Sequence, residues 1–332
     1  MEQPWSEEQA RWVVRRAATL SLCGAEPVGP LVLPDTRFFP DKFDRSPESV
    51  ARLFERMKEH VGLDETTTEV VLVDPEEGRV VTSCSSGGCG TGAVKTLGGD
   101  RVEKRDDGYV VAVATSEIGH STVLTTVLAR AIGQIFLREV DALKRFPKNE
   151  RQAAGDLAAS MLGLAVLVAN GSGIEVKGCG GIKVHSATSF GVQEATLALA
   201  LVELRRELRS GASKDPGAGL ARGLDNVPRG IYPLARALFD ENRDIVRRID
   251  NAPESVERGD FSLRAPGSSL TTKLRRLFGG SKPRDEDPLD ALEREASLAA
   301  ASGAASSRRA VGPRSDRLDE IRALVDESFD TR

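Results

Sequence analysis

Three Ala- and Leu-rich stretches follow one another in the middle of the chain, at 121–143, 149–168 and 190–208. Residues of this kind, sustained over several turns, predict helices, and three such helices in succession predict the helical half of a domain. Aromatic residues make up only 5% of the sequence, so the core must be built mainly from Leu, Val, Ile and Ala.

The flanking segments supply the other elements. Residues 5–22 carry apolar side chains at helical spacing with Arg11, Arg15 and Arg16 between them, which predicts a first helix. PLVLPDTRFFPDKFD predicts a short strand at 31–33 followed by a proline-punctuated loop. Ser46 then offers a cap, Pro47 a first helical residue and Gly62 a stop, which predicts a helix between them. The β-branched runs EVVLVD at 69–74 and GYVVAVA at 108–114 predict strands, separated by the loop SCSSGGCGTG. A further amphipathic helix is expected within 228–249. After about Asp260 the composition shifts to Gly, Ser, Pro, Ala and charge, as in a linker, with a basic patch (TTKLRRLFGGSKPR) and a short helical stretch at 289–301. The last segment, 315–329, places Leu318, Ile321, Leu324 and Val325 at helical spacing, the pattern of a tethered docking helix.

Composition narrows the function classes. Forty-six basic and 50 acidic side chains leave a net charge of -4, too small to steer the chain onto nucleic acid or an anionic membrane. No run of about 18 consecutive apolar residues marks a membrane span, and the charged opening MEQPWSEEQARWVVRR is unlike a signal peptide, so the expected compartment is the cytoplasm. Four cysteines in 332 residues do not make a disulfide scaffold.

Two adjacent helical stretches and the loop before them carry a family likeness. LPDTRFFPDKFDRS at 33–46, ARAIGQIFL at 129–137 and GDLAASMLGLAVLVANGS at 155–172 follow one another in the order and rough spacing of a group of bacterial zincin-like metallopeptidases. In that family the first helix carries a His-Glu-x-x-His motif, whose two imidazoles hold zinc while the glutamate activates water. The matching positions here are Arg130, Ala131 and Gln134, and only Asp156, aligned with the family's third ligand, survives. Arginine stays protonated and cannot ligate a cation, alanine takes no proton, and glutamine is a poor zinc ligand. The resemblance therefore implies a peptidase-like fold without peptidase chemistry, in which Arg130 and Asp156 form a buried ion pair in the metal's place with Gln134 nearby.

Other constellations carry competing readings. If the two glycine-rich loops meet, Cys84, Cys89, Cys179 and His185 make a tetrahedral zinc set; a Cys84–Cys89 disulfide and plain loop thiols are the alternatives. SSGGCGTGAVKT departs from a phosphate loop because Lys95 follows Val94 rather than glycine. Ser172 lacks the Gly-x-Ser-x-Gly context of a hydrolase and reads as a helix-ending turn, while His60 and His120 read as cap or packing residues. The expected fold is α+β and zincin-like, a small mixed sheet from strands near residues 31, 69 and 109 packed against long helices, with a flexible C-terminal tail. The expected division is a pseudo-peptidase domain at 1–260, a linker at 261–314 and a terminal helix at 315–332. The expected function is protein binding or scaffolding without a cofactor, with a zinc-binding or thiol-dependent enzyme of the cysteine loops as the alternative.

Overall fold

The computed structural model describes residues 4–73, 80–81, 96–97, 100–178, 181–211, 220 and 222–266, all within the compact unit that runs from Met1 to Leu274. Helix α1 (Glu7–Leu22) begins at Ser6, whose hydroxyl accepts the Gln9 amide at 3.1 Å while the Gln9 side chain accepts the Ser6 amide at 2.8 Å. This reciprocal cap satisfies two amides that the helix itself leaves open. Helix α2 (Pro47–Val61) has the Ser46 cap and Pro47 start expected, and Gly62 ends it at φ +72°, a left-handed conformation that suits glycine.

Strands β1 (Thr68–Val73), β4 (Val102–Arg105) and β5 (Gly108–Ala114) form the main sheet in the order β1-β5-β4. The short strands β2 (Val80–Val81) and β3 (Thr96–Leu97) pair with each other in a separate two-stranded sheet. β1 runs parallel to β5 with Val70 opposite Val111, and β4 runs antiparallel to β5 with Val102 opposite Val111. The sheet is small and mixed and the helices dominate, which makes the fold α+β. The strand expected at 31–33 is not formed. Prolines 30 and 34 bracket that segment, and Val32 donates instead to the Gly163 carbonyl at 3.0 Å.

Helix α3 (Ser121–Glu139) ends four residues earlier than expected, where Val140 leaves the helix and Asp141 turns at φ +49°. The chain returns antiparallel to it through α4 (Arg151–Ala159), a π-helical turn (Ser160–Leu164) and α5 (Ala165–Ser172). Gly163 in that turn has φ +112°, and its displaced carbonyl is the acceptor that Val32 uses. The run Lys148–Ser172 is long and apolar enough to cross a membrane by composition, but 89% of its most apolar window is buried within the fold. Its neighbour α3 can lie so close because small residues face one another. A methyl group at Gly133 would stand 2.0 Å from the Gly155 carbonyl oxygen, and one at Gly171 would stand 2.1 Å from Thr126 Oγ1.

A hairpin of β6 (Ile174–Gly178) and β7 (Gly181–His185) leads into α6 (Val192–Ser210). The single helix expected within 228–249 is two, α7 (Asn226–Glu241) and α8 (Arg243–Asn251), followed by the short α9 (Pro253–Glu257). Asn242 breaks the run: its buried side chain donates to the Leu238 and Arg264 carbonyls and accepts the Arg264 amide. Through Arg264 and the buried Phe261, the body continues past the boundary expected at residue 260, because Arg11 donates to the Phe261 carbonyl at 2.6 Å. The rest of the expected linker and the terminal helix lie outside the described residues. α6 and α7 are joined by Arg236, which bonds Glu203 at 3.0 Å and Glu207 at 2.8 Å, and burial pushes the Glu203 carboxyl up to about 7 against the pull of Arg236.

The close approach of α3 and α4 gives a direct test. Gly133→Ala is expected to lower stability by about 1–3 kcal/mol through overpacking, despite alanine's better helix propensity. Gly230→Ala on the open face of α7, where nothing lies within 4 Å, is expected to leave stability unchanged or raise it by up to about 1 kcal/mol; urea denaturation of both reads the difference.

Candidate functional site

The positions expected to match a zinc helix lie at the crossing of α3 and α4. Arg130 donates from Nε to Asp156 Oδ1 at 2.6 Å, and Asp156 is 1% exposed. The second carboxylate oxygen, Oδ2, accepts the backbone amides of Ser189 at 2.6 Å and Phe190 at 3.1 Å. Arg130 spends its remaining nitrogens on the same turn, donating from Nη1 to the Ala187 carbonyl at 2.8 Å and from Nη2 to Ser189 Oγ at 2.9 Å. One ion pair thus ties two helices to the connection between β7 and α6. Burial pushes the Asp156 carboxyl up from the usual carboxylate range, while the Arg130 charge and the hydrogen bonds pull it down.

The other matching positions fill the surroundings. Ala131 is fully buried in the core. Gln134 donates to Gln152 Oε1 at 2.7 Å rather than to the ion pair, and its own Oε1 is buried with no hydrogen-bond partner among the described residues. Gln152 joins the cluster because Arg130 Nη2 also reaches its Oε1 at 3.4 Å. A zinc ion does not fit this donor set: the one carboxylate present has both oxygens engaged, and the guanidinium beside it stays protonated and cannot ligate a cation.

Among the other candidates, Cys84, Cys89 and Cys179 lie outside the described residues. His185 ends β7 opposite Ile174. Among the described residues no group of three or more His, Cys, Asp or Glu side chains stands close enough to share a metal ion. Cys23 at the end of α1 is a free, half-buried thiol that burial raises and Arg145 opposes. Ser172 donates to the Ala169 carbonyl at 2.7 Å inside the last turn of α5, a helix-end role. His120 precedes α3 without capping it through its side chain. His60 donates from Nε2 to the Phe38 carbonyl at 2.9 Å and packs edge-on against the Phe38 and Phe39 rings, which anchors the proline-rich loop to α2.

That loop lines a pocket of about 480 Å³, partly open to solvent, that the sequence did not disclose. The walls come from residues 34–43, α2, the first turn of α3, the end of α5 and Asp225. At 100° per residue, Ser121 and Thr125 on the cavity wall lie roughly 140–180° around α3 from Arg130, so the cavity and the ion pair occupy opposite faces of one helix. Pro34, Phe39, Phe43, Leu53, Leu124 and Leu167 make its apolar surface. Asn170 closes one end, donating to the Gly223 carbonyl at 2.8 Å and accepting the Asp225 amide at 2.9 Å. The sequence signal was the phenylalanine-rich loop itself, which does not by itself disclose an apolar pocket.

No family model, curated protein or solved structure matches this chain.

Removing one partner of the buried pair should be costly. Arg130→Met is expected to destabilise the protein by about 3–5 kcal/mol, since it leaves the Asp156 carboxylate buried without its cation. Chemical denaturation measures the loss, and a loss below about 1 kcal/mol would place the Asp156 charge in contact with water.

Proposed function

We propose that this chain is a zincin-like pseudo-peptidase, a peptidase-shaped body that binds or scaffolds other proteins and hydrolyses none. The observation that carries this reading is the Arg130 guanidinium bonded to Asp156, with every nitrogen of the one and both oxygens of the other engaged. A site so consumed has no open position for a metal-bound water and no base to activate one. It holds the turn before α6 in place, which is a mechanical task. In support of the family reading, the two helices that carry the resemblance pack antiparallel and bring Arg130 to Asp156, as the first and third ligand positions would require. We place the protein in the cytoplasm and assign partner recruitment to the segment 315–329, on the strength of its apolar residues at helical spacing.

The family reading is tested by putting the ligands back. Arg130→His combined with Gln134→His sets two imidazoles one turn apart beside Asp156, and the pair of substitutions is expected to create stoichiometric Zn²⁺ binding, read by calorimetry or by the visible spectrum of Co²⁺. Failure of the folded double variant to bind either ion would contradict the zincin-like geometry. The unaltered protein, supplied with Zn²⁺, is expected to leave unfolded peptide substrates intact; steady hydrolysis would contradict the pseudo-enzyme reading.

A further inference from the structure

The cavity on the opposite face of α3 has a chemistry that the pseudo-peptidase reading does not use. Its volume of about 480 Å³ lies within the roughly 300–1,000 Å³ typical of small-ligand sites. Phe43, 38% exposed, adds to its apolar wall. The apolar surface calls for an apolar guest.

Three acids and three cations stand on the wall, Asp35, Asp41 and Asp225 with Lys42, Arg52 and Arg56, and they are not paired one to one. Two of the three acids on the wall have their own cation, Asp35 with Arg37 at 2.6 Å and Asp41 with Arg56 at 3.3 Å, while Asp225 has no ion pair among the described residues and partial burial pushes its carboxyl up. Arg56 is further engaged by Glu59 at 2.8 Å. That leaves Lys42 and Arg52, both on the wall and both without an ion-pair partner among the described residues. The first turn of α3 adds to the same field, because Ser121 and Thr122 stand on the wall at a helix start that no side chain caps. Two unpaired cations beside apolar space select a molecule with one negative group and an apolar body.

We propose that this cavity binds an amphipathic carboxylate, its hydrocarbon part against Phe39, Leu53, Leu124 and Leu167 and its carboxylate between Lys42 and Arg52. The proline-rich loop forms one wall, held to α2 by His60 and by the Arg56–Asp41 pair. The proposal stands independently of whether the fold is zincin-like.

Calorimetric titration of the full-length protein with decanoate, and with decanol as the neutral counterpart, tests it. Saturable one-to-one binding of decanoate is expected, at least tenfold tighter than decanol. Lys42→Ala with Arg52→Ala, two exposed positions, is expected to remove that preference and leave decanol binding unchanged. Thr125→Trp, which fills the cavity from α3, is expected to weaken both ligands at least tenfold; Leu53→Trp fills it from α2 and serves if the first variant does not fold. The proposal is overturned by the absence of saturable decanoate binding, by equal affinity for the two ligands, or by decanoate binding that survives the cavity-filling variant.

Discussion

The Asp156 carboxylate sits in the interior with three donors around it, and the arrangement of the central helices depends on their being there. An isolated carboxylate in such a place would cost several kcal/mol, so the fold has to bring Arg130 and the amides of Ser189 and Phe190 to it. Those three donors come from α3 and from the turn before α6. Satisfying one charge therefore sets the spacing of α3 against α4 and fixes where α6 begins.

The same crossing relies on small residues. Gly133 lies so near the Gly155 carbonyl that no side chain could intervene, and Thr126, about two turns back along α3, meets Gly171. Arg130 stands between these two contacts, so the ion pair is held by backbone approach on both sides. The π turn at Ser160–Leu164 then offers the carbonyl that Val32 takes, which draws the N-terminal segment across the helices and delivers the proline-rich loop to the start of α3. The cavity beneath the loop follows from this route of the chain. One helix thus carries a filled polar site on one face and an apolar space on the other.

How much of this was legible depends on how local each signal is. The helices were readable because Ala and Leu repeat within each one, and the Arg130–Asp156 encounter followed from two motif-bearing helices lying side by side. Gln134 was placed beside the pair, yet it bonds Gln152, a residue with no motif to mark it. The closure of the Ser186–Gly191 turn onto Asp156 was not readable, since its backbone amides are the same in any sequence. VEKR at Val102–Arg105 gave no strand signal because its charges suit an exposed edge, while LVL at 31–33 gave a strand signal without a sheet to join. The cavity draws its walls from segments up to about 190 positions apart, Pro34 and Asp225 among them, and no window of sequence contains it.

An ion pair and a turn close around the Asp156 carboxylate, and two backbone amides report on that closure directly. Ser189 and Phe190 donate to the Asp156 side chain, so their hydrogen exchange measures that bond. Slow exchange of both amides, unaltered by added Zn²⁺ and accelerated by Asp156→Asn, is the expected result. Exchange in the unaltered protein as fast as that of an open loop, or a change in its rate on adding Zn²⁺, would contradict the account.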